Sequence, residues 1–287
     1  MSLLHTGDAV GLVCCSNGQE QAYRAQNEAL AEVLRSLGLR PVFGRHIYAG
    51  ETVRGGSARE RAADLMAMVR DPAVRAIFDL SGGDLANGVL EYLDYDEIRA
   101  AKKPFCGYSD LTCVLNALYA RAGTAGYLYA VKNLVYADGA RQTAAFADTF
   151  LSGGDGLLRA DYRFLQGRRM QGVVVGGNLR CLLKLAGTPY LPDFQDKVLF
   201  LESRGGDVAR TAAGLTQLRQ MGVFRSIRGL YLGAFTTLDA SGEQPPLEAL
   251  AREIVDDPAL PMARTAQIGH GADARALPIG MQVTLRA

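Results

Sequence analysis

The segment Gly107-Tyr108-Ser109-Asp110-Leu111-Thr112 sets a serine where an apolar run, Phe105 to Tyr108, gives way to a helical stretch carrying Leu111, Val114, Leu115 and Leu118. A hydroxyl at such a strand-to-helix turn stands exposed at the sheet edge and can serve as a nucleophile. The N–H of the next residue, Asp110, faces the same space from a helix N-terminus and can donate to an oxyanion. Gly107 lets the backbone turn sharply. The pattern departs from Gly-x-Ser-x-Gly, and Ser-Asp before a helix is equally an ordinary N-cap, so the local sequence leaves both readings open.

Three further positions carry chemistry of the same kind. Ser81-Gly82-Gly83-Asp84 follows the strand-like run Val74 to Leu80, and glycines at a strand's C-terminal end let backbone N–H groups approach a ligand closely. Gly83 is therefore a candidate second oxyanion donor, with a plain β-to-α turn as the alternative. His270, between Gly269 and Gly271, is a candidate general base, although a lone histidine is often structural. Glu202 ends the apolar run Val198 to Leu201; a carboxylate there either orients an imidazole or marks where a strand leaves the core.

The elements that must position these residues alternate strand and helix in the first half, the pattern of a parallel sheet covered by helices. Ala9 to Cys15 and Leu39 to Phe43 read as strands, joined by a helix with Leu30, Val33, Leu34 and Leu37 on one face. Ser57 and Glu60 form a capping box ahead of a stripe of Ala62, Leu65, Met66 and Val69. Between 151 and 171 the composition turns to Gly, Arg, Asp and Gln, which suits a linker. The expected division is 1–152 as an α/β domain carrying the nucleophile, 153–170 as linker, and 171–287 as a smaller β-rich domain carrying Glu202 and His270. In the latter, Gly172 to Val175, Val198 to Leu201, Gly229 to Leu232 and Met281 to Leu285 read as strands.

A length of 287 residues with 48% apolar composition allows two cores, and a formal net charge of +1 provides no field to gather nucleic acid or anionic lipid. No apolar run approaches a membrane span or a signal segment, so a cytoplasmic protein with no membrane partner is expected. The five cysteines form no Cys-x-x-Cys pair and read as reduced, buried thiols. With three histidines and no metal-type spacing, neither a metal nor another cofactor is expected.

Blocks along nearly the whole chain resemble the serine LD-carboxypeptidase family, which also contains the microcin C7 self-immunity proteins. They include Arg54-Gly55-Gly56-Ser57, Leu93-Asp94-Tyr95-Asp96, the Ser109 block, Gly176-Gly177-Asn178-Leu179, Gly187-Thr188-Pro189-Tyr190-Leu191-Pro192, Leu199-Phe200-Leu201-Glu202 and Gly269-His270, in family order. The resemblance implies a Ser-Glu-His triad at Ser109, Glu202 and His270, with oxyanion donors at the N–H groups of Gly83 and Asp110. It also implies a flavodoxin-like first domain, a β-rich swivelling-barrel second domain, and a homodimer. The implied activity removes the terminal D-Ala of a murein tetrapeptide in cell-wall recycling.

Within that resemblance, Ser81-Gly82-Gly83-Asp84-Leu85-Ala86-Asn87-Gly88 leans toward the immunity branch. The absence of tryptophan and the compact segment between serine and glutamate lean away from it. Asp84, Arg204 and Arg275 are candidate substrate-binding residues, the two arginines for the substrate carboxylate. The competing expectations are an amidase acting on peptidyl or aminoacyl nucleotide conjugates and a silent peptide-binding module. A glutaminase using Cys106 is disfavoured because that residue lies within the strand, not at its turn.

Overall fold

The computed structural model describes residues 2–287. Five parallel strands, β1 (Ala9–Val13), β2 (Arg40–Phe43), β3 (Val74–Asp79), β4 (Phe105–Gly107) and β5 (Gly126–Leu128), form most of one sheet. The later strands are β6 (Arg163–Gln166), β7 (Arg169–Asn178), β8 (Lys197–Ser203), β9 (Gly229–Phe235), β10 (Met262–Arg264), β11 (Leu277–Ile279) and β12 (Gln282–Arg286). The helices that matter below are α1 (Arg24–Ser36), α2 (Ala58–Arg70), α3 (Tyr95–Ala101), α4 (Thr112–Ala122), α5 (Gly139–Phe146), α6 (Leu179–Leu183) and α7 (Val208–Gln220).

The first sheet has the order β2-β1-β3-β4-β5-β11 and the second β12-β7-β8-β9-β10-β6. The first five places reproduce the flavodoxin-like order, in which ligands bind beyond the strand C-termini where the order reverses, here between β1 and β3. The loops after β1, β3 and β4 all open at that edge. Every residue of β1 is buried, as expected of a central strand covered on both faces. Leu30 and Leu34 of α1 and Ala62, Leu65, Met66 and Val69 of α2 are the buried stripes that the periodicity predicts, and Ser57 with Glu60 closes the capping box. In the second sheet β7, β8, β9 and β10 are mutually parallel, with β12 and β6 antiparallel at the edges. The two-domain α/β architecture is thus the observed one.

Two stretches differ from expectation. Residues 153–170, read as linker, contain β6, which pairs with β10 through Phe164 and Ala263. Its side chains are only partly buried, so an edge strand of this kind leaves no clean alternation in the sequence. β11, within the stretch assigned to the second domain, returns to the first sheet and pairs antiparallel with β5, Leu277 opposite Leu128. It covers an edge that would otherwise expose unpaired backbone groups.

The domains meet where α4 docks on β7. Asn116 Nδ2 donates to the Gly176 carbonyl at 2.8 Å, its Oδ1 accepts from the Gly176 N–H at 2.8 Å, and Thr112 Oγ1 accepts from the Asn178 N–H at 2.9 Å. Gly177 sits at φ +138°, where an added Cβ would lie 2.5 Å from Thr112 Oγ1, so only glycine permits this approach. Replacing Asn116 by Leu strands two buried backbone groups, each worth about 1–3 kcal/mol. Asn116→Leu should therefore lower unfolding free energy by about 2–4 kcal/mol in urea denaturation; a midpoint unchanged from wild type would show that these bonds do not hold the junction.

Candidate active site

β4 ends at Gly107, Tyr108 is extended (φ −141°, ψ 178°), and Ser109 turns to φ +55° before a short 3-10 turn runs into α4. The left-handed conformation costs a residue bearing Cβ about 1–2 kcal/mol, so the surroundings must hold it. They do so through Asp110. Its buried carboxylate does not cap α4 but accepts from Ser16 Oγ at 2.7 Å, the Ala86 N–H at 2.8 Å and Lys184 Nζ at 2.6 Å. The N-cap reading of Ser-Asp is therefore not the one that forms. At the start of a helical turn the Asp110 N–H lacks an intrahelical partner.

Opposite lies the loop after β3. Ser81 N–H and Oγ–H both donate to Asp79 Oδ1, at 2.7 and 2.5 Å, and burial raises the Asp79 carboxyl above its usual range against these bonds. Gly83 adopts φ +123°, and a Cβ there would fall 2.3 Å from the Asn17 side chain. Asn17 Oδ1 in turn accepts from the Asp84 N–H at 3.1 Å. The Asp84 carboxylate is engaged by Arg180, whose hydrogen bond holds it below the normal carboxylate range.

From the second domain, Glu202 at the end of β8 is buried and both its oxygens are used. Oε2 is 2.7 Å from His270 Nδ1, and Oε1 accepts from Asn178 Nδ2 at 3.0 Å. Asn178 also caps α6, accepting from the Cys181 N–H at 3.3 Å. With Nδ1 facing the carboxylate, the imidazole presents Nε2 as the free nitrogen; that atom is buried and has no hydrogen-bond partner. The Tyr108 ring packs 5.2 Å from the imidazole, so His270 lies against the residue preceding Ser109. Tyr108, Ser109, Glu202, Gly269 and Arg275 line one small hollow. No Ser109–His270 hydrogen bond is present, and such bonds commonly close only with substrate in place.

Ser109 also lines a cavity of about 660 Å³ shared with Gly83, Asn178, Arg204 and Arg210. That volume is in the range of small-molecule sites. Thr237 anchors the Arg204 carbonyl at 2.8 Å, while the Arg204 and Arg210 guanidinium groups enter no ion pair among the described residues. Arg275 instead donates to the Gly156 carbonyl at 2.8 Å, tying the late chain to residues 153–170. All five cysteines are free and buried; burial pushes the Cys113 thiol up to about 12, and raises Cys106 further. Among the described residues, no group of three or more His, Cys, Asp or Glu side chains could hold a metal ion, and no helix is long and apolar enough to cross a membrane.

Ser109, Gly83 and Arg204 thus line one cavity, Asp110 is buried directly behind Ser109, and Glu202 lines the smaller hollow that Ser109 shares. Asp84 reaches that wall already bonded to Arg180, and Arg275 faces the smaller hollow. Sequence reasoning gave no role to Asn178, Arg180, Lys184 or Arg210. Asn178 alone had a local signal, an Asn between a glycine-rich strand end and a helix.

Comparison with known proteins identifies the family. The LD-carboxypeptidase N-terminal domain profile matches residues 10–130, and the C-terminal domain profile matches residues 171–285. The murein tetrapeptide carboxypeptidase of Pseudomonas aeruginosa is 28% identical over 90% of this chain and 88% of its own. The microcin C7 self-immunity protein MccF of Escherichia coli is 25% identical over 98% and 91%. The crystal structure of an MccF-like protein from Bacillus anthracis superposes with a TM-score of 0.87 at 25% identity, covering 100% of this chain and 95% of that one. With both domain profiles matched in order across most of its length, the chain belongs to the LD-carboxypeptidase family.

Proposed function

We propose that the chain is a serine LD-carboxypeptidase that releases the terminal D-Ala of a murein tetrapeptide. The observation that carries the reading is Ser109 at φ +55°, on the wall of a cavity also lined by Gly83, with a Glu202-bonded imidazole behind it. His270 Nε2 takes the Ser109 proton as Oγ attacks the scissile carbonyl carbon. Glu202 fixes the ring and supports the imidazolium, and the Gly83 and Asp110 N–H groups receive the oxyanion. His270 then returns the proton to the departing amine, leaving an acyl-enzyme. Water, deprotonated by His270, hydrolyses that ester and restores Ser109.

A carboxypeptidase must also recognise a free C-terminal carboxylate. Arg204, unpaired and facing the cavity, suits that role better than Arg275, whose guanidinium is bonded to Gly156. The relative from Pseudomonas aeruginosa favours murein tetrapeptide as substrate. The MccF relatives, together with the Ser81 to Gly88 pattern, favour an amidase acting on an aminoacyl nucleotide conjugate as the second reading. Mass spectrometry of both substrate types incubated with the purified protein separates them. Loss of one alanine from the tetrapeptide supports the first reading, and cleavage of the conjugate alone supports the second.

Two substitutions test the site. Ser109→Ala should abolish release of D-Ala with the fold intact, and Ser109→Gly should do the same while raising stability by about 1 kcal/mol, because glycine tolerates positive φ. Residual turnover in either variant would remove Ser109 from the nucleophile role. Arg204→Ala should raise KM roughly 10- to 100-fold at nearly constant kcat, the loss expected of a charge-assisted bond made equally in ground and transition states. The same variant should bind a C-terminally amidated tetrapeptide as well as wild type does; an equal loss for both ligands would place the carboxylate elsewhere.

A further inference from the structure

The second domain reaches the Ser109 turn by a route other than Glu202 and His270. Lys184, one residue beyond α6, places its ammonium 2.6 Å from Asp110 Oδ1 and 2.9 Å from the Asp84 carbonyl oxygen. Arg180, four residues earlier and so on the same helix face, donates from Nη2 to the Gly83 carbonyl at 3.2 Å and from Nη1 to the Asp84 carboxylate. Asp110 is fully buried, whereas Lys184 retains about a fifth of its side-chain exposure and is not part of the cavity wall. A buried carboxylate bonded on both oxygens is stiff, because moving any partner leaves a charge or a donor unsatisfied in a poorly solvated place.

These bonds converge on the two backbone segments that carry the oxyanion donors. Asp110 Oδ2 accepts from the Ala86 N–H, so the turn after β4 and the loop after β3 are already linked within the first domain. Lys184 adds a second link, from the Asp110 side chain to the Asp84 carbonyl, and Arg180 grips the intervening Gly83 carbonyl. Asn17 holds the Asp84 N–H from the other side. The Gly83–Asp84 and Asp84–Leu85 peptide planes are thereby fixed relative to the turn that presents the Asp110 N–H, and the Gly82–Gly83 plane, which carries the Gly83 N–H, is held next to them by the Asn17 N–H donating to the Gly82 carbonyl at 3.2 Å.

We infer that Lys184 is a positioning residue of the oxyanion hole, its ammonium spanning Asp110 and Asp84 so that the Gly83 and Asp110 N–H groups stand at the separation a tetrahedral oxyanion requires. The inference rests on the Ser109 hydrolase reading. It differs from a role in domain docking alone, because donors aimed at the oxyanion act chiefly in the transition state and so affect kcat rather than KM.

The test compares D-Ala release from murein tetrapeptide by wild type, Lys184→Met, Lys184→Arg and the double variant Lys184→Met/Asp110→Asn. Misplacement of a catalytic group by about 1 Å costs on the order of 10²-fold, so Lys184→Met should lower kcat about 10²-fold with KM within about threefold of wild type. Lys184→Arg, which keeps donors for both acceptors, should recover most of that loss. In the double variant the amide oxygen that Asp110→Asn introduces can still accept from Ser16 and Ala86, and no unpaired charge is left buried. The fold is thus retained while the Asp84 carbonyl stays unclamped, and kcat should remain low. A kcat near wild type in either Met variant, or a KM that rises as steeply as kcat falls, overturns the inference while the hydrolase reading stands. A wild-type chain that neither releases D-Ala nor is labelled at Ser109 by a fluorophosphonate overturns the hydrolase reading, and the role of Lys184 with it.

Discussion

Ser109 belongs to one sheet, Glu202 and His270 to segments that extend from or lie beside another, and the docking of α4 onto β7 brings them together. That contact is polar and buried: Asn116 satisfies both backbone groups of Gly176, and Thr112 receives the Asn178 N–H. α4 begins directly after the Ser109 turn, and Asn178 directly supports Glu202. This contact, together with the Lys184 and Arg180 bonds, sets the distance between Ser109 and the Glu202–His270 pair. A shift along it would strand buried donors and acceptors, each at a penalty of about 1–3 kcal/mol, which makes the register discrete.

The same economy of contacts explains how the turn keeps its strained conformation. Ser109 at positive φ is unfavourable by itself, and a free segment would relax. Asp110 prevents this by accepting from three partners in three different parts of the chain, Ser16 after β1, Ala86 after β3 and Lys184 after α6. The reversal of strand order between β1 and β3 opens the crevice, and the Asp110 carboxylate fills its base. The buried acids Asp110 and Glu202 consequently differ in kind. Asp110 is bonded to a lysine and to neutral donors and stays a fixed anchor, whereas Glu202 is shared between an amide and an imidazole, the one partner of the two that can change its charge.

Much of this was legible from the chain alone, and the reasons divide by length scale. β1 is a continuous apolar run, β8 holds one at Val198 to Leu201 and β3 one broken only at Arg75, and α1 and α2 carry clear stripes, so local periodicity suffices for them. Ser109 and Glu202 stand at element ends where a polar residue interrupts an apolar run, Gly83 lies in the loop just after β3, and His270 in the loop between β10 and β11, flanked by glycines. β6 was hidden by its half-exposed edge position, and β11 by its three-residue length and by Pro278. Ala86–Tyr92 forms a 3-10 helix whose first N–H is held by the Asp110 carboxylate, a contact that local sequence does not signal. Lys184 and Arg180 could not be found locally, because their meaning lies in contacts with residues 74 to 100 positions away.

Those long-range contacts bear on how the family fold accommodates different substrates. The Ser109 turn, the Gly83 loop and the Glu202–His270 pair are each fixed by buried hydrogen bonds, so they have little freedom to vary without loss of geometry. The far wall of the cavity, by contrast, is built from the Ser203–Gly206 loop and the first turns of α7, where Arg204 and Arg210 project without partners. Side chains there can change without leaving a buried group unsatisfied, and their charge selects the ligand. Two unpaired guanidinium groups suit an anionic ligand better than a neutral one. The cavity therefore joins two physically different walls, one on an adaptable loop and helix end and the other at the rigid junction of the two sheets.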